Sequence, residues 1–578
     1  MKKQLFGKFL AILLALMLVS SVFVACADEP PQEPPPTADT DDTTAVEDDT
    51  EATPAEERPL LTVDFFSRYT GGGGMQGGWF GNVIREKFDI ELNFTFTDEL
   101  FVARSAAGDL GDIIGLSFVP MKDSIQAGLL MDITDFWPDL TNWHPFQRGI
   151  DNFKNYAETG DRLFAMPGNV SLESTPQWGG TNPDRVHWIR WDFYRELGYP
   201  EMNDAHDLLD VLKQMQDNNP ITESGQRVFG MSLFADWDGQ LMWNAIMYGS
   251  LYGYIDKGFL MMRGDGSDVQ EAVADDGIYK QALYFYFTAN QMGLLDPDSA
   301  TQSADSKGDK FADGAVLWDF CGWWWWRFQT QERQDQGIGF AMAPVANQAT
   351  YLRSNSPYGT FRNAIGLGVN AQEPERLIEF LNWFASPEYT EMEFTGIRGL
   401  TWDMVGGRPE LLVDIRDDFT MPEEFNGLFL GGGLFADGTS RINIRVPNME
   451  DINPNTGEPF HHTFWESTTI DGRTALDEDW SAATGYFWQR DWLEARNAYY
   501  AEPASPFIPP TPDSEMELMM SQIGDLIVQT SWRMVFARDE DEFHSLWADM
   551  KSQLDGLGYQ EVIEWNRNWV NELIATFD

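Results

Sequence analysis

The chain has 578 residues, a formal net charge of -53, two cysteines and 43 % apolar residues. That length can bury more than one core, and the composition excludes a disordered, collagen-like or disulfide-stapled chain. An acid excess this large repels nucleic acid and anionic lipid, so the expected ligands are neutral or cationic small molecules, or an anion held in a local basic pocket.

At the N-terminus, Lys2, Lys3 and Lys8 accompany an apolar run from Phe9 to Val24, and Ala25 stands directly before Cys26. This is the order of a bacterial lipoprotein signal: charges hold the cytoplasmic side, the apolar run enters the translocon, and cleavage after a small residue leaves Cys26 to carry lipid. The run falls slightly short of the roughly 20 residues of a membrane-spanning helix. Residues 1–25 are thus read as a signal peptide, and the rest of the chain is expected on the outer face of the cell membrane, anchored by lipid. With Cys26 modified, only Cys321 remains, so no disulfide forms within a monomer.

Residues 27–59 have no aromatic residue, one valine, and 12 acids against Arg58. Such a segment cannot offset the entropy of folding and reads as a disordered tether, about 30 Å long as a coil and about 100 Å if extended by its prolines. Removing signal and tether leaves -45 on the body.

The body opens with strands and helices in alternation: Leu61 to Phe66 as strand, Trp79 to Phe88 as helix, Ile90 to Thr97 as strand, Leu100 to Ala107 as helix, and Ile113 to Phe118 as strand. The spacing predicts an α/β domain with a largely parallel sheet. A second alternation begins near Val186, passes through a helix bearing Leu208, Leu209, Leu212 and Met215, and reaches a strand between Val228 and Phe234; it reads as a second lobe. From Asp513 onward the apolar spacing is helical.

Four features carry potential chemistry. Gly72, Gly74 and Gly77 stand between a strand and a helix, with Asp98 further on, in the spacing of a dinucleotide fingerprint; four consecutive glycines also create that spacing by chance, and a loop–helix junction of this kind can present backbone N–H groups to a hydroxyl or anion. Trp323 to Trp326, followed by Arg327, cannot all face one core, because neighbouring side chains diverge; rings left exposed can stack on the C–H faces of sugars. Asp451, Asn453 and Asn455, followed by Gly457 and Glu458, alternate oxygens as a calcium loop does, yet lack the EF-hand glycine position and the twelfth-place acid. His461 and His462 with Glu466 lack the spacing of a catalytic zinc helix.

Several segments resemble the carbohydrate-binding solute receptors of ABC importers, in particular their large lipoprotein members. Residues 106–114 (AAGDLGDII) resemble the family's SGDLPDII, with Gly111 where proline is usual, and 127–134 (AGLLMDIT) its GLLxPLT turn. Residues 160–167 (GDRLFAMP) resemble DGKLYGIP, which precedes the first crossing between lobes, and 188–192 (WIRWD) with Leu197 and Gly198 resemble YIRKDWLDKLG. Residues 311–317 (FADGAVL), with Gly322 and the tryptophans, are similar to the segment whose tryptophan stacks on sugar in maltose-binding members; the ungapped match puts that role on Trp324. Pro374 to Pro387 with 395–399 (TGIRG) resemble a later family stretch, while 405–510 match none.

The resemblance implies an α/β, two-lobed periplasmic-binding-protein-like fold with an interlobe cleft, discontinuous lobes and a helical C-terminal part. Boundaries are expected at 60–175 and 346–420 for the first lobe and 176–345 for the second, with 421–578 an insertion and C-terminal helices mainly on the second. Ligand-binding candidates at strand ends and crossings are Arg68, Tyr69, Glu173, Trp178, Asp236, Trp237, Trp324 and Arg362, the acids and arginines for hydroxyls and the tryptophans for stacking. The implied function is capture of a saccharide and delivery to an ABC permease by a non-catalytic monomer, without a cofactor unless the Asp451 loop holds calcium. The alternatives are a surface glycoside hydrolase or lyase, which needs a facing carboxylate pair, and a carbohydrate-adhesion lipoprotein.

Overall fold

A computed structural model describes residues 58–180, 183–360, 362–415 and 419–577. The signal peptide, Cys26 and most of the tether lie outside the described residues. Among the described residues no helix is long and apolar enough to cross a membrane.

Five strands form before the chain first leaves the first lobe: β1 (Leu61–Ser67), β2 (Gly74–Met75), β3 (Ile90–Thr95), β4 (Ile113–Leu116) and β5 (Ala165–Pro167). Helix Gly78–Phe88 buries Trp79, Phe80, Val83, Ile84 and Phe88, the stripe that a helix lays on a sheet. Helix Asp98–Ala107 starts at Thr97, whose hydroxyl accepts from the Leu100 N–H, and stops at Gly108 in a left-handed conformation. β1 runs parallel to β3 and to β4, the arrangement that helical crossovers produce.

The second lobe contributes β6 (Trp188–Arg190), β7 (Phe229–Met231), the three-stranded antiparallel meander β8 (Tyr254–Lys257), β9 (Leu260–Arg263) and β10 (Val269–Glu271), then β11 (Val316–Asp319) and β12 (Phe340–Met342). Its main sheet has the order β12-β6-β11-β7, with β11 parallel to β7 and antiparallel to β6. After β13 (Thr350–Leu352) the chain returns as β14 (Ala364–Leu367), completing the first-lobe sheet in the order β2-β3-β1-β4-β14-β5. β14 is antiparallel to β4 and β5 because it enters the sheet from the opposite end, out of the second lobe.

The hydrophobic cores divide the same way. The first lobe holds a main core that draws on residues from Val63 to Val170 and from Ile365 to Val446, and a smaller one from Phe66 to Ala165 with Ala364. The second-lobe core draws on Trp178 to Leu352 and Leu476 to Leu573, and helices Ser514–Val535, Glu540–Asp555 and Tyr559–Ile574 close it. The chain therefore crosses between lobes three times. Asn355 ties the crossings together: its N–H donates to Thr175 O at 2.8 Å, its amide donates to Thr175 Oγ1 at 3.0 Å, and its Oδ1 accepts from Gln177 at 2.9 Å and from Asn448 at 3.0 Å.

Candidate functional site

The strand directions decide which residues face the gap between the lobes. β1 ends at Arg68 and Tyr69, β14 begins just after Arg362, and β5 runs out into the first crossing, so these residues share one end of the first sheet. In the second lobe β7 and β11 end on the side where β6 begins, directly after that crossing, and Trp237 and the tryptophan run follow them.

On the first-lobe side the Arg362 guanidinium lies 5.9 Å from the Tyr69 ring centroid, so the structure brings these two candidates together. Arg68 ion-pairs with Asp98 and covers Phe96 at 5.3 Å, which holds it to its own lobe. Glu173 is exposed on the first crossing. Asp236, exposed on the second lobe, accepts from Ala304 N–H at 2.9 Å and so anchors the start of helix Ala304–Ala312. Trp178 is buried against Tyr499 at 4.9 Å with Arg490 at 5.0 Å, a packing position.

The tryptophan run separates as divergent side chains must. Trp323 is 38 % exposed, Trp324 only 5 %, and Trp326 61 %. A 3-10 turn over Trp325–Arg327 turns the later rings away from the earlier ones. Trp324, to which the ungapped match gave the stacking role, instead lies under the surface: Phe234 is 5.3 Å and Trp237 5.7 Å from its ring, and the Lys307 ammonium sits 4.0 Å over its face. The rings above it form an open platform, with Trp237 (47 % exposed) 5.0 Å from Trp243 and 6.1 Å from Trp323. Trp237 and Trp323 thus keep part of their rings in water, with Trp237 standing edge-on to the half-buried Trp243.

Beneath the platform, Lys307 Nζ is 3.0 Å from Asp319 Oδ1, with both side chains buried. Burial pushes the Asp319 carboxyl up to about 6, opposed by Lys307. Sequence reasoning did not find this pair, because two common charged residues twelve positions apart carry no pattern. At the crossings, the half-buried Glu450 carboxylate accepts from Gly179 N–H at 3.0 Å, and desolvation pushes it up to about 7; burial likewise raises Asp451 to about 6.

The glycine loop serves the scaffold. Gly71 N–H donates to Arg441 O at 2.7 Å, and a Cβ on Gly78, at φ +68°, would stand 2.3 Å from Gly438 Cα. The N-terminus of helix Gly78–Phe88 is thus covered by the chain itself, which leaves no cradle for a pyrophosphate. The Asp451 loop folds as a tight turn. Asn453 N–H donates to Glu458 O at 2.9 Å, the Asn453 and Asn455 amides donate to Glu391 at 2.7 and 2.8 Å, and Asp451 accepts from Asn448 N–H at 2.9 Å. These bonds occupy side chains that a calcium loop would turn inward. Among the described residues no group of three or more His, Cys, Asp or Glu side chains is placed to hold a metal ion.

No family model matches the sequence, and no curated protein matches it. Solved structures do. An HMO-binding, ABC-transporter-associated solute-binding protein from Bifidobacterium longum infantis superposes with a TM-score of 0.53 at 15 % identity, over 90 % of this chain and 100 % of that one. An ABC-transporter substrate-binding protein of S. pneumoniae in complex with kestose gives 0.54 at 13 % identity, over 89 % and 99 %. An alginate-binding protein solved without calcium ion gives 0.52 at 13 %, over 89 % and 98 %. The two lobes, three crossings and facing strand ends are those of one architecture, and the chain has the two-lobed α/β fold of the solute-binding proteins of ABC transporters.

Proposed function

We propose that the chain is a receptor that captures a saccharide in the gap between its lobes and delivers it to an ABC-type permease. The observation that carries this reading is the Trp237–Trp243–Trp323 platform at the gap-facing strand ends of the second lobe. Broad ring faces of this kind stack on the C–H faces of sugars, and the fold is one in which such capture is coupled to lobe closure. Tyr69 and Arg362 stand at the matching end of the first lobe, where they would meet the ligand's hydroxyls. The saccharides named with the superposable structures agree in ligand class. In this reading the protein is a monomer, lipidated at Cys26, held at the outer face of the cell membrane by its acidic tether, and carries out no reaction.

The test is a thermal-shift screen of the chain from Arg58 onward against mono- and oligosaccharides, with chromatography of each sugar afterwards. Saturable stabilisation by an unaltered sugar, lost in Trp323→Ala, supports the receptor. A sugar converted to product makes the protein an enzyme. An absence of stabilisation by every sugar removes the reading.

A further inference from the structure

Strand Tyr499–Ala501 pairs in parallel with β13, and helix Ser514–Val535 begins after it. The segment joining them, 502–513 (EPASPFIPPTPD), has five prolines. Its first half is fixed to the second lobe. Glu502 accepts from Lys257 Nζ at 2.6 Å, and its N–H donates to Leu352 O at 2.9 Å. The Ser505 and Thr576 hydroxyls share a hydrogen bond of 2.6 Å, and the Phe507 ring lies nearly parallel to that of Trp569 at 6.4 Å. The far end returns to the same lobe: Asp513 accepts from Met516 N–H at 2.9 Å, capping a helix whose Met516 and Met520 enter the second-lobe core.

Between these anchors the segment touches the other lobe. Ile508 packs against the smaller first-lobe core, which Phe96, Phe101 and Tyr156 also border, and the Thr511 hydroxyl meets that of Tyr156. This contact joins the lobes separately from the three crossings. Pro509, Pro510 and Pro512 fix φ and offer no N–H, so the touching stretch is stiff and has no helix or sheet pairing to adopt instead.

The seat of Ile508 stands away from the hinge. Tyr156 belongs to helix Gln147–Ala157, whose other end abuts two crossings: a Cβ on Gly149 would come within 3.0 Å of Pro167 and Val170 and 3.3 Å of Pro357. From Gly149 to Tyr156 is about 10 Å along the helix axis. A lobe rotation of about 15° displaces a point at that distance by about 3 Å, enough to unseat a side chain whose contacts reach only about 4 Å.

We propose that residues 502–513 act as a stiff catch between the lobes. With Ile508 seated, the lobes are held in the arrangement seen, and Ile508 must leave its seat before they turn about the crossings. The catch needs no ligand, so it goes beyond the receptor reading and stands or falls separately from it. Ile508 is half-buried, and removing its side chain raises the share of other lobe arrangements about fivefold.

The test uses the ligand-free chain from Arg58 onward with one spin label on each lobe, at Asp139→Cys and Asp210→Cys, both exposed. Cys321 is buried and stays unlabelled. Double electron–electron resonance then gives the distribution of distances between lobes in three backgrounds: wild type, Ile508→Ser, and P509G/P510G, which keeps the seat and removes the stiffness. Both variants are expected to broaden the distribution and to raise the population outside the main peak about fivefold. Ile221→Ser, which changes an exposed isoleucine of the second lobe, is expected to leave the distribution as it is. Should Ile508→Ser melt early, P509G/P510G decides, because neither proline belongs to a core. Wild-type distributions in both variants, or a wild type already as broad as they are, overturn the catch and leave the receptor standing.

Discussion

Trp323 and Trp324 are adjacent in sequence and opposite in consequence, and replacing each by alanine separates ligand contact from packing. Trp324 is 5 % exposed, bounded by Phe234 and Trp237, and covered by the Lys307 ammonium at 4.0 Å. Deleting an indole from such a site costs about 3–5 kcal/mol. With a urea slope of about 2–3 kcal/mol/M, Trp324→Ala lowers the unfolding midpoint by about 1–2 M, read by far-UV circular dichroism. Trp323 keeps 38 % of its surface in water, lies 5.9 to 6.1 Å from the neighbouring ring centroids and hydrogen-bonds the Asp184 carboxylate at the lobe surface. Its removal costs about 1 kcal/mol or less. Trp323→Ala is therefore expected to melt close to wild type and to lose sugar-induced stabilisation. The reasoning is refuted if Trp323→Ala unfolds as early as Trp324→Ala, or if Trp324→Ala keeps its stability while losing only the ligand.

Three further outcomes follow from the buried polar groups. Lys307→Met leaves Asp319 buried without its cation, so that the carboxyl must take up a proton to stay in the core, and is expected to cost about 3–5 kcal/mol in urea unfolding, most of it recovered in K307M/D319L; a double variant as unstable as the single one contradicts this. Glu450, raised to about 7, binds its proton more tightly in the folded state, so its favourable contribution is complete below about pH 4.5 and is lost as pH rises through about 7. That change amounts to about 3 kcal/mol. Thermal midpoints of Glu450→Gln should accordingly vary less than wild type over this window, and parallel profiles would remove the assignment. Asn355→Ala strands Thr175, Gln177 and Asn448 and is expected to cost about 2–4 kcal/mol, with a broader ligand-free envelope in small-angle scattering; an unchanged melting temperature argues against a hub.

The fold was legible where pattern and burial coincide. The alternation from Leu61 to Phe118 predicted β1, β3 and β4 and the helices between them to within a few residues, most clearly where one periodic face is buried, as in helix Gly78–Phe88 and β3. β14 was not legible as a strand running against its neighbours, since direction is set by where the chain comes from rather than by the residues Ala364–Leu367. The site was legible as a composition and not as an arrangement. Four consecutive tryptophans announce that some ring is exposed, but which one depends on a 3-10 turn, and the ungapped match fell one residue away from the exposed Trp323. Trp178 and Arg68 were singled out for standing at crossings and strand ends, where Tyr499 and Asp98 already engage them.

The segment 405–510, which matches no family motif in sequence, has a physical role that its sequence conceals. Part of it, with Thr463 and Thr468, leans on the first lobe; part of it, with Leu476 and Trp480, is built into the second core. Gly472 stands between them, where a Cβ would come within 2.5 Å of Thr468 O, so the chain can turn there only with glycine. A cavity of about 700 Å3 lined by Trp325, Trp326, Thr463 and Trp488 thus takes residues of both walls from one short stretch that also links the lobes. A ligand seated between Thr463 and Trp488 bridges that stretch, and movement of the lobes must change the distance between its ends. Under the proposed receptor function, ligand binding and closure would be coupled at the third crossing, and variants on either side of Gly472 should change affinity and lobe separation together.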